Sequence, residues 1–172
     1  MPALASMPSP RTTALLGGPT SAVRFDRAAF DAMADRLDQW LARDGGSLLV
    51  IGSRRTPPDI AANARRRWAG QPGLRWFDDG DGDNPYAPAL AFAHRIVVSP
   101  DSVNMVSEAC ATTSPVYVAE PGRASGRVRA YLDGMLARGR VRALVERQEP
   151  FAVEPLRETA RIAALVRERL AG

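Results

Sequence analysis

The chain contains no lysine: all 23 of its basic residues are arginine. With so much alanine beside it, that substitution reads as the codon bias of a GC-rich genome rather than as a recognition signal. The net charge is +4, which invites an anionic partner. However, the arginines are scattered among 19 acidic residues and no basic helix with interleaved aromatics occurs, so a mixed solvated surface is expected and nucleic acid is not. Cysteine is nearly absent. Cys110 alone cannot form an internal disulfide, which fits a reducing, cytoplasmic setting. Histidine is equally scarce. A single His94 and a single Cys110 exclude a His/Cys zinc set, and they leave a Cys–His nucleophile improbable. Nor does any apolar run approach the roughly 20 residues that span a bilayer. The first ten residues, MPALASMPSP, lack the basic region and apolar core of a signal peptide.

What is present is an alternation of strands and helices. Residues 1–11 are rich in Ala, Pro and Ser and read as a flexible tail or linker, and 12–172 as one domain. Apolar runs at 12–18, 47–53, 74–78, 95–99 and 115–120 predict five strands. Helices are predicted over 25–43, 58–69, 86–93, 103–113, 126–138 and 155–170, from apolar residues three and four apart and from proline or serine at their starts. Continuous apolar strands separated by amphipathic helices mean a parallel sheet covered on both faces. The expected fold is a doubly wound, Rossmann-like α/β domain.

In such sheets ligands lie beyond the carboxyl ends of the strands. The residues expected there are Gly17, Gly18 and Thr20 after the first strand and Ser53, Arg54 and Arg55 after the second. After the fourth come Ser99, Asp101, Ser102, Asn104, Met105 and Glu108. Glycine lets a backbone approach a phosphate, a helix start offers free N–H groups, and arginine supplies charge. Each has a bland alternative: Ser102 as a helix cap, Arg54 and Arg55 as a surface pair, Glu108 as a surface acid paired with an arginine. Glu108 stands seven residues after Asp101 and four after Asn104, so the spacing predicts one shared helix face. The run Asp78, Asp79, Asp81, Asp83 has a calcium-loop composition but no closing glutamate, which favours a solvated loop. The first loop, GGPTS, is not G-x-G-x-x-G, and Arg54-Arg55 replace the acid that holds an NAD ribose. An NADP site has only those arginines in its favour.

The segments LLGGPT, RFD, LLVIGSRRTP, NPY, LAFA and VVSPDSVNMVSEACATTSPVYV together resemble the mitochondrial-fission Elm-type family. It comprises plant elongated-mitochondria proteins and bacterial relatives, some described as nucleoside-diphosphate-sugar epimerases. The resemblance runs from about Leu15 to Tyr117. It implies likeness to the C-terminal half of a GT-B glycosyltransferase, with an N-terminal domain missing. DSVNMVSEA looks like the donor-binding helix of the N-acetylglucosaminyltransferase that makes lipid II, and the resemblance implies that Glu108 holds the donor ribose. The implied ligand is a nucleoside diphosphate sugar, with no further cofactor and no metal. Two departures stand out. Thr112-Thr113-Ser114-Pro115 replaces the family's T-G-K-P, and Ser21-Ala22-Val23 stands where aromatic or His residues are common. The implied function is the nucleotide-sugar half of a glycosyltransferase-like protein, not catalytic alone. A non-catalytic interaction module is the alternative.

Overall fold

A computed structural model describes residues 4–147 and 151–156. Six strands form one all-parallel sheet: β1 (Arg11–Leu16), β2 (Ser47–Gly52), β3 (Gly73–Trp76), β4 (Arg95–Val98), β5 (Val116–Val118) and β6 (Val141–Ala143). Their order across the sheet is β3-β2-β1-β4-β5-β6. β1 lies at the centre, paired with β2 from Arg11↔Ser47 to Leu16↔Gly52 and with β4 from Thr12↔Arg95 to Leu15↔Val98. Strands connected through helices in this order must wind first one way and then the other, which makes the sheet doubly wound.

The central strands are buried on both faces because helices cover them. β2 is buried at all six positions. The covering helices are α1 (Arg27–Asp44), α2 (Pro58–Arg67), α3 (Tyr86–Ala91), α4 (Val103–Cys110) and α5 (Gly126–Ala137). α1 starts where the Asp26 carboxylate accepts the Ala29 N–H at 3.0 Å. It buries Phe30, Met33, Leu37 and Trp40 along one stripe, each such side chain contributing roughly 1.5–3 kcal/mol. The Trp40 ring meets Tyr117 edge-on at 5.0 Å, and the Arg95 guanidinium lies over it at 4.6 Å. α2 is tied to α1 through the Trp68 indole, which donates to Asp38 at 2.6 Å, and through Arg67, which bridges Asp35 and Asp38.

Two expectations need correction, and a third lies almost wholly outside the described residues. Residues 4–10 are not a free tail: Leu4 is buried, and Ser47 donates to the carbonyls of Pro8 at 2.7 Å and Pro10 at 3.1 Å. The sheet has six strands rather than five, since 141–143 adds β6. The helix expected over 155–170 lies outside the described residues apart from its first two positions, where Leu156 donates to the Cys110 carbonyl at 2.8 Å.

Candidate functional site at the carboxyl edge

The carboxyl ends of β1 and β4 flank the point where the winding reverses, the usual ligand crevice. Here that point is latched by the protein itself. The Gly17 N–H donates to Ser99 Oγ at 2.8 Å, and the Ser99 hydroxyl donates to Asp101 Oδ1 at 2.5 Å. The Gly18 N–H donates to Asp101 Oδ2 at 3.1 Å, and the Arg55 guanidinium reaches the same oxygen at 2.8 Å. The Asp101 side chain is 0% exposed and that of Arg55 50%. Both glycines are required by close approach within this latch. A Cβ on Gly17 would lie 1.9 Å from Asp101 Oδ2, and one on Gly18 would lie 1.9 Å from the Arg55 carbonyl oxygen. Ser99, Asp101 and Arg55 are thus engaged inside the chain.

On the flank towards β5 the segments following β1 and β5 are joined. Val23 pairs with Ala124 in an isolated antiparallel bridge, and Ser125 donates to the Ala22 carbonyl at 2.8 Å. Thr20 serves the turn beneath, accepting the N–H groups of Ala22 and Val23.

The other flank is open. A cleft of about 820 Å³ lies between the ends of β2 and β3. Gly52, Ser53, Arg54 and Thr56 form one wall, the start of α2 with Arg65 a second, and Trp76, Phe77 and Asp78 a third. Tyr86 of α3 and Met105 of α4 close the side facing the latch. Of the expected residues, Ser53, Arg54 and Met105 line this cleft. The adjacent arginines divide: Arg55 holds Asp101, whereas Arg54 is exposed and has no ion pair among the described residues. Thr56 supports the loop by donating to the Leu16 carbonyl at 2.8 Å. The acidic loop is internally used. Asp78 accepts the Gly80 N–H, and Asp81 accepts Arg65 at 2.6 Å and the Phe77 N–H at 2.8 Å. Burial pushes the Asp81 carboxyl up, but the Phe77 N–H and Arg65 outweigh it and hold the group below its usual range. No cluster able to hold a metal occurs among the described residues.

The shared face expected for Asp101, Asn104 and Glu108 does not form. Ser102 caps α4, accepting the Met105 N–H at 3.3 Å, so the helix begins at Val103 and Asp101 precedes it, turned inward. Asn104 and Glu108 are exposed on α4. The partner of Glu108 is not an arginine: the Tyr86 hydroxyl donates to its Oε2 at 2.5 Å. Burial, then the adjacent Glu108 charge, push the Tyr86 phenol far above its ordinary value, so it remains a donor at physiological pH. Tyr86 was not among the expected site residues. Its only sequence signal was its place in the NPY stretch, where Asn84 accepts the Tyr86 N–H at 2.9 Å.

The groups discounted for catalysis sit away from this edge. His94 precedes β4 at the amino edge, where its Nδ1 accepts the Arg11 N–H at 3.1 Å. Burial, Arg11 and Arg95 push its pKa down. Burial pushes the Cys110 thiol up to about 11, leaving almost no thiolate at neutral pH.

The strand order and open carboxyl flank define a doubly wound α/β domain of Rossmann type. The family model described as mitochondrial fission ELM1 matches residues 1–170, and the chain belongs to that family. It is 29% identical over 170 residues to the mitochondrial fission protein ELM1 of Arabidopsis thaliana, covering 97% of this chain and 39% of that protein. It is 22% identical over 163 residues to the uncharacterized protein RP120 of Rickettsia prowazekii, covering 91% and 46%. The chain therefore spans less than half the length of these curated relatives. No solved structure matches it.

Proposed function

We propose that the chain binds a nucleoside diphosphate, the leaving half of a nucleotide sugar, at the open flank of the carboxyl edge. The observation that carries this reading is Arg54, an exposed guanidinium with no ion pair among the described residues, on the wall of a cleft of about 820 Å³. That volume falls within the roughly 300–1,000 Å³ of small-molecule sites. A diphosphate calls for a forked, permanently charged donor, and arginine is one. Trp76 and Tyr86 offer flat apolar surface to a base, and Glu108 on α4 stands within reach of Tyr86 to accept ribose hydroxyls. Sugar transfer belongs, in this proposal, to a longer protein of GT-B type, in which a second domain brings the acceptor and base. Guanidinium and backbone N–H groups would stabilise the departing diphosphate without requiring a metal.

An NADP site is a second reading, favoured by the position of Arg54 directly after β2. The first loop speaks against it, because its glycines are committed to Asp101 and Arg55. The Arabidopsis relative is named for mitochondrial fission. A non-catalytic interaction module is the reading left standing if no nucleotide binds.

Arg54→Ala is expected to lower UDP affinity at least tenfold, about 1.4 kcal/mol, with the melting temperature unchanged. Arg55→Ala is expected to lower the melting temperature, since it removes a partner of buried Asp101. Unaltered UDP affinity in Arg54→Ala would remove the support for this reading.

A further inference from the structure

The cleft beside Arg54 carries polar groups of both kinds. Asp78, Asp79 and Asn84, from the loop that follows β3, line it together with the guanidinium. The four acids of that loop are not alike. Asp78 accepts the Gly80 N–H and lies 3.5 Å from Arg65, and Asp81 takes Arg65 and the Phe77 N–H. Asp83 lines a smaller cavity and not this cleft. Asp79 alone brings to the cleft a carboxylate that no hydrogen bond or ion pair engages among the described residues. Asn84 has half of its amide to spare. Its Oδ1 accepts the Tyr86 N–H at 2.9 Å, which fixes the amide and leaves Nδ2 without a partner among the described residues. Trp76 lines the same cleft, its ring anchored by the indole N–H that donates to the Gly82 carbonyl at 2.9 Å.

We propose that the base read by this cleft is guanine. Asp79 accepts its N1–H and its exocyclic amino group, Asn84 Nδ2 donates to its O6, and Trp76 carries the ring. This rests on the nucleoside-diphosphate reading above and deepens it by naming the base. Stacking does not choose among bases, since every base has a π-face. The pattern of donors and acceptors on the Watson–Crick edge does. Guanine presents two adjacent N–H donors there, which match the two oxygens of one carboxylate. Adenine and cytosine set a single amino group beside a ring-nitrogen acceptor. Uracil sets one N–H between two carbonyl oxygens, which a carboxylate repels. The charge on Asp79 strengthens each bond that it accepts. Guanine O6, next along the edge, needs a donor, and the spare half of the Asn84 amide is one. Arg54 is blind to the base, so other nucleoside diphosphates, UDP included, bind at lower affinity through the diphosphate alone.

The test is calorimetric titration of the native chain and of Asp79→Asn. The probes are GDP, UDP, ADP, inosine diphosphate, which lacks the amino group of guanine, and xanthosine diphosphate, which has a carbonyl in its place. The native chain is expected to bind GDP at least about tenfold more tightly than each of the others, the order of one hydrogen bond to a charged group. Asp79→Asn turns one acceptor into a donor. It is expected to lose the preference for GDP and to bind xanthosine diphosphate more tightly than GDP, with an unchanged melting temperature. A merely structural Asp79 would not exchange one base for the other. Equal affinity of the native chain for GDP and inosine diphosphate needs no variant to fold, and it would overturn the inference. So would a preference for GDP that survives in a folded Asp79→Asn. Either result, with UDP or GDP still bound, leaves the nucleoside-diphosphate reading in place. No binding of any nucleoside diphosphate by the native chain would overturn both.

Discussion

Asp101 is a fully buried carboxylate that receives three donors of different kinds: a backbone N–H from Gly18, a hydroxyl from Ser99 and a guanidinium from Arg55. An ion this deep is tolerated only when its oxygens are satisfied. The space for it comes from Gly17, which carries no Cβ. Gly17→Ala is expected to destabilise the chain by about 2–4 kcal/mol, because the new methyl displaces the carboxylate and strands its donors. Gly122→Ala is the control, with open space at the Cβ position and an expected change near zero. Urea denaturation of the two variants checks this. Equal stability would contradict the latch. The latch was only half legible in the sequence. Gly17, Gly18, Ser99, Asp101 and Arg55 were singled out as one edge, and they do meet. That they would meet each other rather than a ligand depended on Asp101 turning inward before α4 begins, and spacing alone does not report it.

At the scale of elements, β2 and β4 were readable because both of their faces are buried and their residues form apolar runs, LLVI and IVV, while β1 shows such a run in Ala14, Leu15 and Leu16. β6 was not. It is three residues long, and Arg142 sits exposed between Val141 and Ala143, as suits an edge strand. Tyr86 was missed for a related reason: α3 has six residues, too few to establish a period, and its role comes from a contact with α4. The junction of α1 with the sheet offers a pH-dependent test. Asp44, the last residue of α1, accepts Arg43 at 2.6 Å and reaches Arg95, the first residue of β4, at 2.5 Å. The Arg43 hydrogen bond, with Arg95 and against burial, holds the Asp44 carboxyl down at about 2. A depressed carboxyl stabilises the fold above its unfolded value near 4 and loses that contribution as pH falls through its folded value near 2. Asp44→Asn is expected to cost on the order of 1–2 kcal/mol at pH 7, the gap from native closing between pH 4 and pH 2. Denaturation across that range checks it, and a gap independent of pH would contradict the assigned ion pairs.

For the whole molecule, the decisive feature is the asymmetry of the carboxyl edge. On one flank a bridge joins Val23 to Ala124, the switch point is latched, and the other flank opens into the cleft beside Arg54. No helix among the described residues is long and apolar enough to cross a membrane. A ligand of diphosphate chemistry would enter on the β2–β3 side, with its ribose directed towards α4. The most direct measurement is calorimetry of the native chain against UDP, GDP, ADP and NADP in the same buffer. Saturable binding of at least one nucleoside diphosphate, tighter than NADP, is the expected result. A clear preference for NADP, or no heat with any of the four at millimolar concentration, would contradict the proposed site.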